Sequence, residues 1–528
     1  MTRTDQLSQS GPRRDGSHGA RVAYRAPDAA GDDELRRGLR VLFLVTSLAV
    51  LSVGVPAFLI ADVADLPRSD AWVVTLVLLV WAGIRLSLLW VRGTPRLFDF
   101  FFWLFVYIFM GMAPTAQILS GLTSTTTPGV DTGLDMPTAG VVVLGVFCYE
   151  VGRLLFMLRE GRRRTAGRPL VVRPVSSWRT VALFVVSLAL SGYVLWKLGA
   201  IALLGSRDAA AAARAAAWPD PAVRSIIYAS GIYPMLVAVG AMAQLRRTAS
   251  SAQSRRLALA GAVTGAVVLL LIVNPITSAR YSFGTVVFAL AVYAGAVRTR
   301  RRARITMLAA IAGFLFVFPI ADAFRRVGAA TGTRSGFFDE YLSNPDYDAF
   351  WQVANALSYW VDGLVAPMNQ FAGSVLFWVP RALWPNKPTD TGILLAEYRG
   401  YTFDNLSAPT WAEALVNGGI IAVVVGFLLL GLLLRAMDSR IVPALRVGGV
   451  WAIVGAIFPV FMTILLRGSL LQATGALFLT VLCILLVVGG RGRAEAGPDP
   501  GPPPQPTPDA TAAESIHAPI QRAPEAPA

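Results

Sequence analysis

Residues 415–436 read LVNGGIIAVVVGFLLLGLLLRA. From Ile420 to Leu434 no side chain is polar or charged, and the run closes on Arg435. About twenty such residues allow an α-helix to cross the hydrocarbon of a bilayer with its backbone groups bonded internally. Working outward from this stretch, eleven more apolar runs can be drawn. They cover about 38–60, 71–91, 98–119, 138–158, 180–204, 225–245, 257–274, 281–297, 305–321, 443–465 and 468–489. The seventh and eighth are short and are separated by Asn274-Pro275 and Ser278-Ala279-Arg280. The pattern predicts an all-α polytopic membrane protein of about 12 transmembrane helices. One large outer loop, containing an amphipathic helix, interrupts it.

Composition agrees with that class. The chain is 55% hydrophobic and 15% charged, with a mean hydropathy of +0.57. A soluble protein of 528 residues needs more charge than this for its surface. The formal net charge is +15. It lies mainly in short loops between apolar runs, which argues for a lipid bilayer and against nucleic acid as the partner. Cys148 and Cys483 both lie inside apolar runs, and read as buried thiols with neither a disulfide frame nor zinc spacing. No cleavable signal is evident, because the polar residues 1–37 precede a run long enough to span.

Arginine placement sets the expected orientation. Clusters at Arg36, Arg37 and Arg40, at Arg92 and Arg96, at Arg162–Arg164, at Arg246, Arg247, Arg255 and Arg256, at Arg298–Arg304, at Arg435, Arg440 and Arg446, and at Arg491 and Arg493 all fall on one side if the spans alternate. Cytoplasmic loops collect Lys and Arg, so that side is inner. Twelve spans with both termini cytoplasmic satisfy every cluster in a cytoplasmic membrane. The expected organisation is a disordered N-terminus over 1–37, nine helices over 38–321, a large extracytoplasmic loop over 322–414, three helices over 415–489 and a disordered tail over 490–528.

The long loop is the expected chemical centre, since a connection of that length between spans usually has a job. Phe350, Ala354, Leu357 and Val361 repeat at helical spacing, with Asp348, Gln352, Asn355 and Asp362 able to take the other side. This predicts an amphipathic helix, either at the membrane interface or packed on the bundle. Three prolines stiffen 380–388 and set Arg381 and Lys387 at a defined separation, suited to phosphate or to lipid headgroups. Glu413 stands at the outer entrance of the tenth span, where a carboxylate is either functional or a helix-dipole partner. The alanine-rich segment 208–217 predicts a short helix with Arg207 and Arg214 on one face, and Glu150 and Arg153 can pair at i,i+3.

Taken together, Pro380-Arg381, Trp384-Pro385-x-Lys387-Pro388 and Glu413-x3-Asn417-x-Gly419 resemble the signature region of Wzy-type O-antigen polymerases. Ser278-Ala279-Arg280-Tyr281 is also similar to that group. The resemblance covers about residues 274–420, while the first half matches only in general hydropathy. It implies a GT-C-like glycosyltransferase that needs no cofactor and no nucleotide sugar. The enzyme would join undecaprenyl-diphosphate-linked glycan donor and acceptor outside the cytoplasmic membrane, building a surface polysaccharide with inversion at the transferred sugar. A chain-length regulator is a further expected partner.

The residues suit that chemistry. Negative charge grows on a diphosphate as it leaves, so fixed cations near it lower the barrier. The expected catalytic residues are Glu413, Arg280 and Arg381. The expected substrate-binding residues are Arg325, Arg326, Lys387, Arg399, Asp404 and Arg467, and Arg334 is a further outer cation. Glu413 is the leading general base, with Asp404 and Glu397 behind it. His18 and His517 lie in the tails, and no cluster has the spacing of a metal site. Two alternatives stay open: an O-antigen ligase or other GT-C lipid-carrier-dependent glycosyltransferase, and a lipid-linked oligosaccharide flippase or transporter. A transporter should place charge inside the bundle near the midplane.

Overall fold

The structure, a computed structural model, describes residues 28–63, 65–164, 173–319, 337–404 and 406–490. Expectations for residues 1–27 and 491–528, and for Arg325, Arg326 and Arg334, fall outside the described residues. Secondary structure among the described residues is helical apart from one isolated bridge, Val175–Val488. In chain order the main helices are α1 Gly38–Val63, α2 Ala71–Arg92, α3 Leu97–Leu119, α4 Thr132–Gly161 and α5 Ser177–Gly199. There follow α6 Arg207–Ala217, α7 Val223–Thr248, α8 Ala252–Ile272, α9 Arg280–Tyr293 and α10 Arg300–Ala312. The last are α11 Ala349–Val361, α12 Thr391–Arg399, α13 Thr410–Val447, α14 Val450–Arg467 and α15 Leu470–Val487.

Ten of these helices (α1–α5, α7, α8 and α13–α15) are long and apolar enough to cross a membrane. Their outward faces are what a bilayer requires. Ile421, Val425, Leu429 and Leu433 form an exposed stripe along α13, while Val423 and Phe427 on its other side are buried. Such a stripe would be a liability in water but is the expected surface in lipid. Buried at the centre is α3, whose Phe-rich sequence is enclosed throughout.

Small residues decide the closest helix pair. A Cβ at Gly431 on α13 would overlap the Tyr149 carbonyl oxygen on α4, and one at Gly152 would overlap the Leu428 carbonyl oxygen. A third glycine, Gly145, makes room for the Trp411 indole. Lipid tails are as apolar as leucine, so helix association in a membrane relies on such close backbone approach.

The helix ends sort into two groups. At one end Trp90 donates to the Arg304 carbonyl (3.0 Å), Arg304 donates to the Val91 carbonyl (2.6 Å), and Arg435 pairs with Glu160 (2.8 Å). The buried Asp438 carboxylate caps α3 there, accepting the backbone N–H groups of Phe98 (3.1 Å) and Asp99 (3.0 Å). Arg85 joins Asp99 (3.5 Å) to Glu150 (2.9 Å), and the Glu150–Arg153 pair forms at its i,i+3 spacing. At the opposite end Arg68 pairs with Asp135 (3.1 Å), and Gln117 donates to the Tyr341 carbonyl (2.9 Å).

Three features differ from the sequence reading. The eighth and ninth expected spans are the shorter helices α9 and α10, of 14 and 13 residues, the latter continued by a π-helical turn, Gly313–Val317. They nevertheless run between the same two ends, since Arg280 meets Phe318 at one and Arg304 meets α2 at the other. The helix expected to end near residue 436 continues to Val447 and reverses only at Gly448-Gly449, whose φ angles are 115° and 89°. Between residues 436 and 447 only Pro443 disfavours a helix, and it does not end this one, so Arg435, Arg440 and Arg446 sit on a helix and not in a loop. Finally, α11 is buried around its whole circumference from Ala349 to Leu357, with Gln352 and Asn355 enclosed. Its Trp351 donates to the Gln117 side chain (2.7 Å). Of the two expected placements it takes the one packed on the bundle, and what differs is that its polar side is enclosed with the rest. The short helix α6 forms as expected, capped by the Ser206 hydroxyl.

Candidate functional site

Asn274 ends the chain's run through α8 and shapes the turn into α9. Its side-chain oxygen accepts the N–H groups of Ile276 (3.0 Å) and Thr277 (2.9 Å), while Pro275 precludes a continuing helix. Arg280 therefore stands as the first residue of α9, with its side chain only 5% exposed. Its guanidinium pairs with Asp346 (2.8 Å), donates to the Phe318 carbonyl, and lies over the Phe318 ring (4.5 Å).

Arg467, the last residue of α14, comes to the same place. It donates to the Asp346 carbonyl (2.9 Å), pairs with the carboxylates of Asp346 (3.2 Å) and Asp348 (3.4 Å), and lies over the Tyr281 ring (5.7 Å). Asp348 also accepts the Ser407 N–H (3.1 Å), and it is buried. Burial pushes its carboxyl above the ordinary value, with the Arg467 charge acting against that rise. Two arginines expected separately thus share one cluster with two aspartates. Asp346 was not among the expected site residues, and Asp348 was expected only as part of a polar helix face. The one trace in sequence is the pair of carboxylates flanking Tyr347; their arginine partners are more than sixty residues away along the chain.

Arg280 also forms part of the rim of a cavity of about 380 Å³ between α9 and α10. Phe101, Phe283, Val287, Phe288, Phe314 and Phe318 make its walls largely apolar. Gly284 and Gly313 are among its lining residues, and at neither does an atom lie within 4 Å of where a Cβ would stand. A buried cation on the rim of an apolar slot is suited to an amphiphile with an anionic head.

The Glu413 carboxylate sits elsewhere and is 3% exposed. One oxygen accepts the Thr391 hydroxyl (2.9 Å) and the other accepts the Leu470 N–H (2.9 Å), at the start of α15. It joins α12, α13 and α15. Four residues on, Asn417 accepts the Phe371 N–H (2.8 Å) and donates to the Glu413 carbonyl (2.8 Å). The helix is interrupted at Gly418 and Gly419, where Gly419 has φ 62° and a Cβ would overlap the Trp360 indole. The Glu413-x3-Asn417-x-Gly419 pattern is therefore a set of braces around a bend. Asp390, beside Glu413, was missed by the sequence reading; burial raises its carboxyl above the ordinary value.

In the proline-stiffened loop, Lys387 turns inward. Its ammonium donates to the carbonyls of Phe377 (2.6 Å) and Val379 (2.9 Å). Arg381 is exposed and donates to the Lys387 carbonyl (2.8 Å). The two cations meet through backbone and do not join the Arg280–Arg467 cluster. Arg399 donates to the Gly129 carbonyl (2.6 Å), tying α12 to the turn before α4, while Asp404 and Glu397 are exposed. Comparison with protein-family models, with curated proteins and with solved structures found no match.

Proposed function

We propose that this chain polymerises undecaprenyl-diphosphate-linked repeat units at the outer face of the cytoplasmic membrane, as a GT-C-like glycosyltransferase of Wzy type. In this reading both termini are cytoplasmic and the chain crosses twelve times, with α9 and α10 as the two short crossings. The observation that carries it is the convergence of Arg280 and Arg467 beside an apolar slot, at the end of the bundle away from the Arg304 and Arg435 contacts. The slot suits part of an isoprenoid chain and the arginines suit its diphosphate. Asp346 touches both arginines and holds their guanidinium groups at one place.

The chemistry follows from charge. An acceptor hydroxyl attacks the anomeric carbon of the donor glycan while the bond from that carbon to the diphosphate oxygen breaks. The departing oxygen keeps the electron pair, and the hydroxyl proton passes to a carboxylate or to solvent. Cations already in place at the leaving group stabilise that charge without reorganising.

The transporter alternative draws on the network of the buried Asp99 and Asp438 with the half-buried Arg85 and Glu150. Those groups are paired with one another and with the backbone start of α3, which accounts for them as structure.

The test is a purified-enzyme assay with lipid-linked repeat units that measures carrier binding and turnover separately. Arg280→Ala should weaken binding and lower turnover by roughly 10²–10³-fold, as for loss of one charge-stabilising donor. Unchanged carrier binding and turnover would remove Arg280 from the donor site. In cells, deletion should leave single lipid-linked repeat units in place of polymer. Intact polymer left untransferred to its final acceptor would select the ligase reading.

A further inference from the structure

Residues 221–321 contain no Asp or Glu, although arginines recur throughout. Three of those arginines meet at one cavity. Arg246 and Arg247 end α7, Arg298 follows α9, and all three line a space of about 480 Å³ bounded by α7, α8 and α9. None of the three side chains makes a hydrogen bond or an ion pair among the described residues. Arg247 and Arg298 are close enough for their charges to repel. Basic residues at a helix C-terminus are ordinary, because they complement the helix dipole and set topology. Those roles do not require convergence on a cavity.

The walls say what kind of anion fits. Val239, Val263 and Leu290 contribute apolar surface, and Val263 is 54% exposed on the lipid-facing side of α8. Leu259 and Val267 continue that exposed flank. A soluble phosphate would satisfy the arginines and leave these walls bare. We propose that the cavity binds one anionic phospholipid from the adjacent leaflet. Its phosphodiester would sit among Arg246, Arg247 and Arg298, and an acyl chain would run along Val263 and Val267. A headgroup carrying its own ammonium would fit poorly against three guanidinium groups. Basic pockets between helices at this depth recognise acidic lipid heads in the same physical way. The proposal does not depend on the glycosyltransferase reading, because its readout is lipid binding alone.

The experiment uses the full chain in zwitterionic detergent. Phosphatidylglycerol, phosphatidylcholine and inorganic phosphate are titrated separately while the thermal midpoint is followed. Phosphatidylglycerol should raise the midpoint saturably, and the other two should not. The triple variant Arg246→Gln, Arg247→Gln, Arg298→Gln should lower apparent affinity on the order of a hundredfold, given the attraction each cation contributes near an acidic lipid. Arg255→Gln with Arg256→Gln removes two nearby cations outside the cavity and should retain the wild-type response. Val263→Trp keeps all three charges, narrows the apolar wall and should weaken the response. Equal stabilisation by phosphatidylcholine, an equal effect of inorganic phosphate, or a full phosphatidylglycerol response in the triple variant would overturn the proposal. An undiminished response in Val263→Trp would overturn it as well, leaving surface charge attraction as the explanation.

Discussion

The two oxygens of Glu413 hold Thr391 and Leu470, so its substitutions separate bracing from proton transfer. Glutamine keeps an acceptor for the Leu470 N–H. If the residue is a brace, Glu413→Gln should retain most activity, while Glu413→Ala should lose about 1–3 kcal/mol of stability from stranded buried donors. If it is the base, Glu413→Gln should lose roughly 10²–10⁴-fold in turnover with carrier binding intact. Measured melting and turnover on the same samples decide between them. Asp348 supports a prediction about pH. Its carboxyl is raised above the ordinary value of 3.8, so the folded protein holds this proton more tightly than the unfolded chain. Stability therefore rises as pH falls through the folded value towards 3.8, and is lost as pH rises. Wild type should gain thermal stability relative to Asp348→Asn between neutral pH and about pH 4. A gap independent of pH would mean that Asp348 does not titrate differently on folding.

At the scale of elements, the α4–α13 contact depends on having no side chain at Gly152 and Gly431. The obstructing atoms are backbone carbonyls, which cannot move aside as a flexible side chain can. Gly431→Ala should cost about 1–3 kcal/mol and Gly431→Leu more, as overpacking does in a close-packed interior. Thermal denaturation in detergent gives the comparison, and Gly426→Ala, where nothing lies within 4 Å, is the matched control. An equal effect at Gly426 would mean that helix propensity or lipid contact, not helix packing, governs this segment. Sequence periodicity made most of these helices readable. It could not show that the polar side of α11 would be enclosed, because Gln352 and Asn355 look alike whether they face water or protein. Nor could it place the reversal at Gly448, since residues 437–447 suit a helix as well as a short loop.

For the whole molecule, the testable claim is which end faces the cytoplasm. Cysteines at Asp131 and Ser343 should react with an impermeant thiol reagent in intact cells, and cysteines at Ser177 and Ser250 should not. All four positions are exposed, whereas Ser124 is buried and would report poorly. The native Cys148 and Cys483 are buried, which keeps the background low. Labelling of the second pair alone would invert the molecule and place the Arg280–Arg467 cluster on the cytoplasmic side.

By itself the sequence determined that this is a helical membrane protein. Apolar run length, the scarcity of charge and the sorting of arginines are local properties, set by the cost of exposing backbone or charge to hydrocarbon. It also marked Arg280 and Arg467 as outer cations, but as separate ones. Only the tertiary structure decided that they meet over Asp346 and that Arg280 stands on the rim of an apolar slot. Only it turned Lys387 inward and made Glu413 a bond between three helices. A buried charge takes its partner from whatever folding brings within about 3 Å, and such partners are commonly far away in sequence. Hydropathy has no term for that distance, so it located the end of the bundle where the chemistry is expected and left the constellation to packing.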